Sequence, residues 1–388
     1  MDKSKFNFLN TSAFILLLFT MGCKQQKEQA LPSQNNASEN TLSYAKGFSI
    51  ERGASGITTI TITSPWPNAE AEFTYALIPR EKLATITLNK EAYDAIVAVP
   101  VERIVATSTT HIPALEALGV ENRLVGFPNT AYISSKGTRK RIETGAIKEL
   151  GNNEDINTEM TLELQPDLVV GFSINNQNKA YETLQRSNIP VVYNGDWTEE
   201  TPLGKAEWIK FFAPFFQMES KADSIFKSIE TSYLEAKELA KKATSNPSVL
   251  SGALYKDVWY LPGGKSWAAQ FLKDANSDYL WSTTQETGSL SLSIESVLEK
   301  AQNAKFWVSP SQFTSYETMK EANRHYLQFE AFKNKRIYTF AKTTGDTGGL
   351  LYYELAPQRP DLVLKDLIHI LHPELLPEHQ LFFFKPLD

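Results

Sequence analysis

Apolar and polar positions divide this chain into stretches of different character. The first is an apolar run from Ala13 to Met21, preceded by Lys3 and Lys5 and followed by Gly22-Cys23. At about nine residues it is far short of the roughly 20 that a membrane-spanning helix needs. A basic start, a short apolar core, a small residue and then cysteine predict a secretory signal ending in a lipobox, with residues 1–23 as signal and lipidated Cys23. Residues 24–42 are mostly Gln, Asn, Ser, Glu and Lys, which predicts a flexible tether. From 43 to 100 the pattern turns β-branched and alternating. Ile57-Thr58-Thr59-Ile60-Thr61-Ile62-Thr63 and Phe73-Thr74-Tyr75-Ala76-Leu77-Ile78 flank the turn Ser64-Pro65-Trp66-Pro67-Asn68, and predict a small antiparallel β extension.

Beyond residue 100, short apolar runs alternate with helical periodicity. Arg103–Thr107, Leu124–Phe127, Leu168–Phe172 and Val191–Tyr193 read as strands of one lobe over 101–218, with a helix from His111 to Leu118 capped by Gly119. Residues 219–243 form one long amphipathic helix, with Ile225, Phe226, Ile229, Tyr233, Ala236 and Ala240 recurring at three and four. A second series follows over 244–388. Its strands include Gly252–Tyr255, Lys305–Val308 and Arg336–Phe340, and its last helix runs from Arg359 to His372 with Pro360 in the first turn. Strands alternating with helices predict an α/β fold: two lobes with mostly parallel central sheets, joined by the long helix and preceded by the β extension.

Composition is that of an ordinary globular chain, 42% hydrophobic and 22% charged, with a net charge of −6. No long basic run occurs, so nothing points to nucleic acid. Cys23 is the sole cysteine, so no disulfide forms within the chain.

Few motifs carry reaction chemistry. Pro262-Gly263-Gly264-Lys265-Ser266 resembles the end of a P-loop, but Trp259 stands where the motif needs its first glycine. It reads as a tight turn before a helix, whose backbone N–H groups are available to a ligand. His369 and His372 lie on one helix face with His379 beyond, but no further ligand completes a metal site, and no metal is expected. No hydrolase motif occurs. Thr109, Thr110 and His111 follow the first strand of the first lobe, where open α/β sheets bind ligands. Tyr132, Phe172, Trp197, Tyr260 and Trp267 fall beside loops after predicted strands and fit the walls of a cleft for a large, partly apolar ligand. Lys265 completes the ligand-binding set. Glu159 and Glu295 each follow a helix-capping residue (Asn157 and Ser293) by two positions, where a carboxylate favours the helix dipole by about 0.3–1 kcal/mol.

Four stretches carry a resemblance: Glu102–Val105 with Glu116–Gly126; Asn157–Glu159 with Leu164–Val169; Tyr260–Ser266 with Ser293–Leu298; and Arg359–Leu367. In this order the chain from about 101 to 375 resembles the solute-binding proteins of ABC importers for iron–siderophore, haem and cobalamin. The resemblance implies two lobes on one rigid helix, a ligand held between them, and no cofactor or catalysis. It implies that Glu159 and Glu295 dock on arginines of a permease, which an ATPase drives. The expected protein is a monomer, lipid-anchored in the periplasm through Cys23, that delivers a metal chelate, first of all a ferric siderophore. Cobalamin or haem on the same fold is the alternative, and a surface enzyme or an adhesion protein the more distant ones. In this chain the first loop reads Thr109-Thr110-His111-Ile112-Pro113 in place of the serine- and glutamate-bearing turn common in the family.

Overall fold

A computed structural model describes residues 42–53, 55–175 and 177–388. Cys23, the signal and the tether up to residue 41 lie outside the described residues.

The strands Phe48–Arg52, Thr58–Ile62, Phe73–Pro79 and Ala95–Val99 form a four-stranded sheet in chain order. The first three are antiparallel, with Ile60 opposite Tyr75. Ile60, Ile62 and Tyr75 point inward and are buried, while Thr59 and Thr61 stay partly exposed, as a period of two requires. The fourth strand pairs parallel with the third, so the extension is not purely antiparallel. Two short 3-10 turns, Arg80–Lys82 and Lys90–Ala92, lie in the crossover that makes this possible. This sheet shares one core with the first lobe: Ile60, Tyr75 and Val97 pack in the same cluster as Leu115, Phe211 and Phe212.

The first lobe has a five-stranded, all-parallel sheet in the order Lys148–Glu149, Leu124–Phe127, Ile104–Ala106, Leu168–Gly171, Val191–Tyr193. Its central strands are buried on both faces, which is why they read as continuous apolar runs. The chain runs outward to one side after Ile104–Ala106 and returns on the other side at Leu168–Gly171. The loops after these two strands therefore part at a switch point, where such sheets open a crevice.

The helix Glu219–Ala240 spans 22 residues, about 33 Å at 1.5 Å per residue. Its buried residues divide between two cores. Ala222, Phe226 and Ile229 pack with the first lobe, and Tyr233, Ala236 and Ala240 with the second. One rigid element thus belongs to both.

The second lobe has the order Asp278–Tyr279, Ser248–Ser251, Phe306–Val308, Ile337–Thr339, Lys385–Pro386, parallel except for the last strand. A separate antiparallel sheet joins Ala253–Tyr255, Val258–Pro262 and Ser289–Leu292. The expected strand Gly252–Tyr255 is therefore a hairpin arm, and the lobe strand is Ser248–Ser251. Gly252 makes the break. Its φ is +77°, and a Cβ there would lie 1.9 Å from the Tyr260 carbonyl oxygen. Buried Asp366, on the helix Pro360–Leu371, accepts the N–H groups of Phe382, Phe383 and Phe384 and the His379 ring at 2.7–3.1 Å, which fixes the C-terminal tail.

Candidate functional site

Three adjoining cavities trace the cleft: two lie between the lobes, and the one joining them is lined by the second lobe alone. The first, about 460 Å³, opens at the switch point. Ser108, Thr109 and Phe172 line it from the first lobe, Gln312, Leu350 and Tyr353 from the second. The second, about 320 Å³, shares Tyr353 with it and is walled by Tyr260, Trp267 and Tyr352. The third, about 630 Å³, shares Pro262, Trp267 and Ser289 with the second, and brings in Trp197 and the extension's turn Trp66–Ala69. Rings join these walls: Phe172 lies 5.5 Å from Trp197, and Trp267 lies 6.0 Å from Tyr352, which stacks on Phe340 at 4.6 Å. Flat apolar faces with hydroxyl and amide groups between them suit a bulky, partly apolar ligand.

Of the residues expected here, Thr109, Tyr132, Phe172, Trp197, Tyr260 and Trp267 line the cleft. Three do not. His111 is wholly buried at the start of the helix His111–Leu118, its ring 5.4 Å from Phe212 and beside the Asn194 side chain. Burial pushes its pKa down to about 4, against smaller upward pulls from the Asp196 charge and the Asn194 side chain, so it packs as a neutral ring. Thr110 turns its hydroxyl to that of Ser108 at 2.9 Å, and Ser108 takes its place in the lining. Nor does Thr110 cap the helix through its side chain. Lys265 is exposed and lines none of the three cavities.

The turn before Trp267 also differs from expectation. The N–H groups of Gly263, Gly264, Lys265 and Ser266 donate to Gly288 O, Thr284 Oγ1, Glu286 O and Gly263 O at 2.8–3.0 Å, so they are spent within the fold. Ser266 caps the helix Trp267–Asp274 instead, accepting the Ala269 N–H at 3.2 Å.

Several residues of the cleft escaped the sequence reading. Tyr352 and Tyr353 sit on the short helix Leu351–Leu355 behind Gly348-Gly349. Gly349 lies so close to the Tyr132 carbonyl that a Cβ would stand 2.2 Å from it. That double glycine ahead of an aromatic pair was the available signal. Glu354 on the same helix crosses the cleft edge. Its buried carboxylate accepts the Ser134 and Ser135 N–H groups at 2.6 and 2.9 Å, and burial pushes its pKa up to about 7. Lys205 is buried as well. It donates to the carbonyls of Asp196 and Trp197, both at 3.0 Å, and lies 5.2 Å from the Trp267 ring. Burial lowers its pKa to about 8.

Glu159 and Glu295 are exposed, each in the first turn of a helix, Thr158–Leu164 and Ile294–Ala301. Asn157 and Ser293 cap these helices, accepting the N–H groups of Met160 and Ser296 at 2.9 and 3.2 Å. The Glu295 carboxyl is held below its ordinary pKa by its own backbone N–H and the Ser293 hydroxyl. The histidines near the C-terminus all have partners: His369 the Leu376 carbonyl, His372 the carbonyls of Ala275 and Asn276, His379 the Asp366 carboxylate. Among the described residues no group of three His, Cys, Asp or Glu is placed to hold a metal ion, and no helix is long and apolar enough to cross a membrane.

Comparison with known proteins agrees with this architecture. An uncharacterized lipoprotein of Methanocaldococcus jannaschii is 27% identical over 298 residues, covering 74% of this chain and 69% of its own. The vitamin B12-binding protein of Vibrio parahaemolyticus is 25% identical over 138 residues, 36% of this chain and 47% of that one. Among solved structures, a possible iron-binding periplasmic solute-binding protein of Staphylococcus epidermidis matches with a TM-score of 0.55 at 18% identity, over 70% of this chain and 99% of that one. The haem-binding protein HutB of Vibrio cholerae matches with a TM-score of 0.53 at 20% identity, over 68% and 98%. These structures share the two-lobe fold. The family model for periplasmic binding proteins matches residues 104–344, well over half the chain, and the protein belongs to that family.

Proposed function

We propose that this protein is the lipid-anchored binding component of an ABC importer that captures a metal chelate, first of all a ferric siderophore, and delivers it without bond chemistry. The aromatic-walled cleft between two lobes carries this reading, since it suits capture of a bulky chelate. The shared helix supports a small closure around the ligand in place of a wide hinge motion. The lipoprotein relative supports an anchor at Cys23, and a tether of about twenty residues would keep the body at high effective concentration near its permease. Glu159 and Glu295, exposed on different lobes, are the docking pair.

Absorbance spectra and mass spectrometry of small molecules that co-purify with the protein test the cargo, with a ferric charge-transfer band expected. A corrinoid is the second reading, supported by the match to the vitamin B12-binding protein, and corrin bands would favour it. Glu159→Ala with Glu295→Ala is expected to abolish uptake while leaving the dissociation constant of the chelate unchanged. Loss of both would remove the docking role.

A further inference from the structure

The charged groups in the lining of the cleft are acidic. Across the three cavities no lysine, arginine or histidine occurs among the described lining residues, and the charged ones are Glu199 and Glu200. The exposed Lys46 lines a further cavity of about 310 Å³ that shares Glu199 and Glu200 with the 630 Å³ one, and two other nearby ammonium groups are engaged elsewhere. Lys205 lies buried behind the wall, its Nζ engaged by two carbonyls and flanked by Asp196 and Glu199. Lys256 sits on the exposed hairpin turn with its Nζ 5.5 Å from the Tyr255 ring centre.

Both glutamates belong to the 630 Å³ compartment, which the extension's turn Trp66–Ala69 helps to wall. Three donors fix Glu199 Oε1: the N–H groups of Lys46 and Gly47 and the Trp208 indole, at 2.7–3.1 Å. Glu200, next to it, is exposed. The extension precedes residue 104, where the family match begins, so this compartment is partly built by a segment outside the matched region.

An anion entering these three cavities would find no cation in their lining, and in the 630 Å³ one would meet two carboxylates. Each circumstance opposes binding. We propose that the chelate carried is neutral or cationic, and that the Trp66–Ala69 turn completes a compartment for its cationic arm, with Glu200 as the selecting residue. This rests on the reading of the protein as a chelate carrier.

Tryptophan fluorescence titrations of the mature chain test it with four probes. Ferrioxamine B carries a pendant ammonium, and its N-acetyl derivative has the same iron cage without charge. Cyanocobalamin is a neutral corrinoid, and a ferric tris-catecholate is trianionic. The trianion is expected to bind at least about 100-fold more weakly than the best neutral probe, the cost of like charge with no cation in the lining. The ammonium form is expected to bind roughly tenfold more tightly than its acetylated twin, with Glu200→Lys abolishing that preference. Ala69→Trp, which fills the compartment from the extension, is expected to abolish it too. Thermal melts check that both variants fold. A trianion bound as tightly as the neutral probes would overturn the charge assignment and leave the carrier reading standing. An unchanged ammonium preference in folded Glu200→Lys would overturn the compartment. Binding of none of the four would overturn the carrier reading, and this inference with it.

Discussion

The two ends of the cleft are held in different ways. At the switch-point end the lobes are joined by hydrogen bonds. Glu354 accepts two N–H groups from across the cleft, and the Thr347 hydroxyl donates to the Ala131 carbonyl at 2.7 Å. Gly345 and Gly349 press onto Ser134 and Tyr132 without room for a side chain. At the extension end the lobes meet across a 630 Å³ cavity, with the Lys205 ammonium against the Trp267 ring. One end is latched around its 460 Å³ cavity, and the other is a wider compartment.

Substitutions sharpen this contrast. The largest effect is expected from Trp267→Ala at the extension end. It removes a wall shared by two cavities and is expected to weaken chelate binding by about 10- to 100-fold, as for a central aromatic anchor. Titration measures this, and an equal loss from Glu354→Gln would erase the distinction between the ends. Next, Glu354→Ala leaves two N–H groups without their acceptor and is expected to cost about 1–3 kcal/mol of stability in denaturant unfolding.

The pH dependence gives a finer test. Glu354 titrates near 7 in the fold, above an unfolded value near 4.3, so its ionisation opposes folding. Its contribution is full below about pH 4 and is lost as pH rises through about 7. His111 has the opposite sign. With a folded pKa of about 4, its contribution is full above the unfolded value near 6.5 and is lost as pH falls through 4. Between pH 4 and 7 the two slopes oppose each other. Glu354→Gln is expected to uncover stability that rises with pH over this range. His111→Phe, which keeps the ring packing on Phe212, is expected to uncover stability that falls. Melting temperatures from pH 4 to 8 check both, and parallel profiles for the two variants would contradict the assignments.

These residues also show how far the sequence could be read. The lobes were legible because buried parallel strands leave continuous apolar runs and the bridging helix leaves an unbroken period. That helix ends at Ala240, three residues earlier than the pattern suggested. Ala95–Val99 was not read as a strand, because a short apolar run with little alternation does not separate strand from helix. The cleft was legible in its loop aromatics, which chain position alone brings to the right face. It was not legible in His111, because a residue at the start of a helix can face the ligand or the neighbouring helix. Here packing against Phe212 decides. Lys265 failed for a similar reason: the turn spends its backbone donors internally and leaves the side chain outside. The latch was invisible, since Glu354 and Ser134 are 220 residues apart.

The most direct test is anomalous diffraction at the iron or cobalt edge from crystals of the protein with its co-purified chelate. The account predicts one metal peak in the cleft between the Thr107–Thr109 loop and Trp267, with no side-chain ligand from His111. A peak beside His369 and His379, or a metal bound directly by protein ligands outside the cleft, would contradict it.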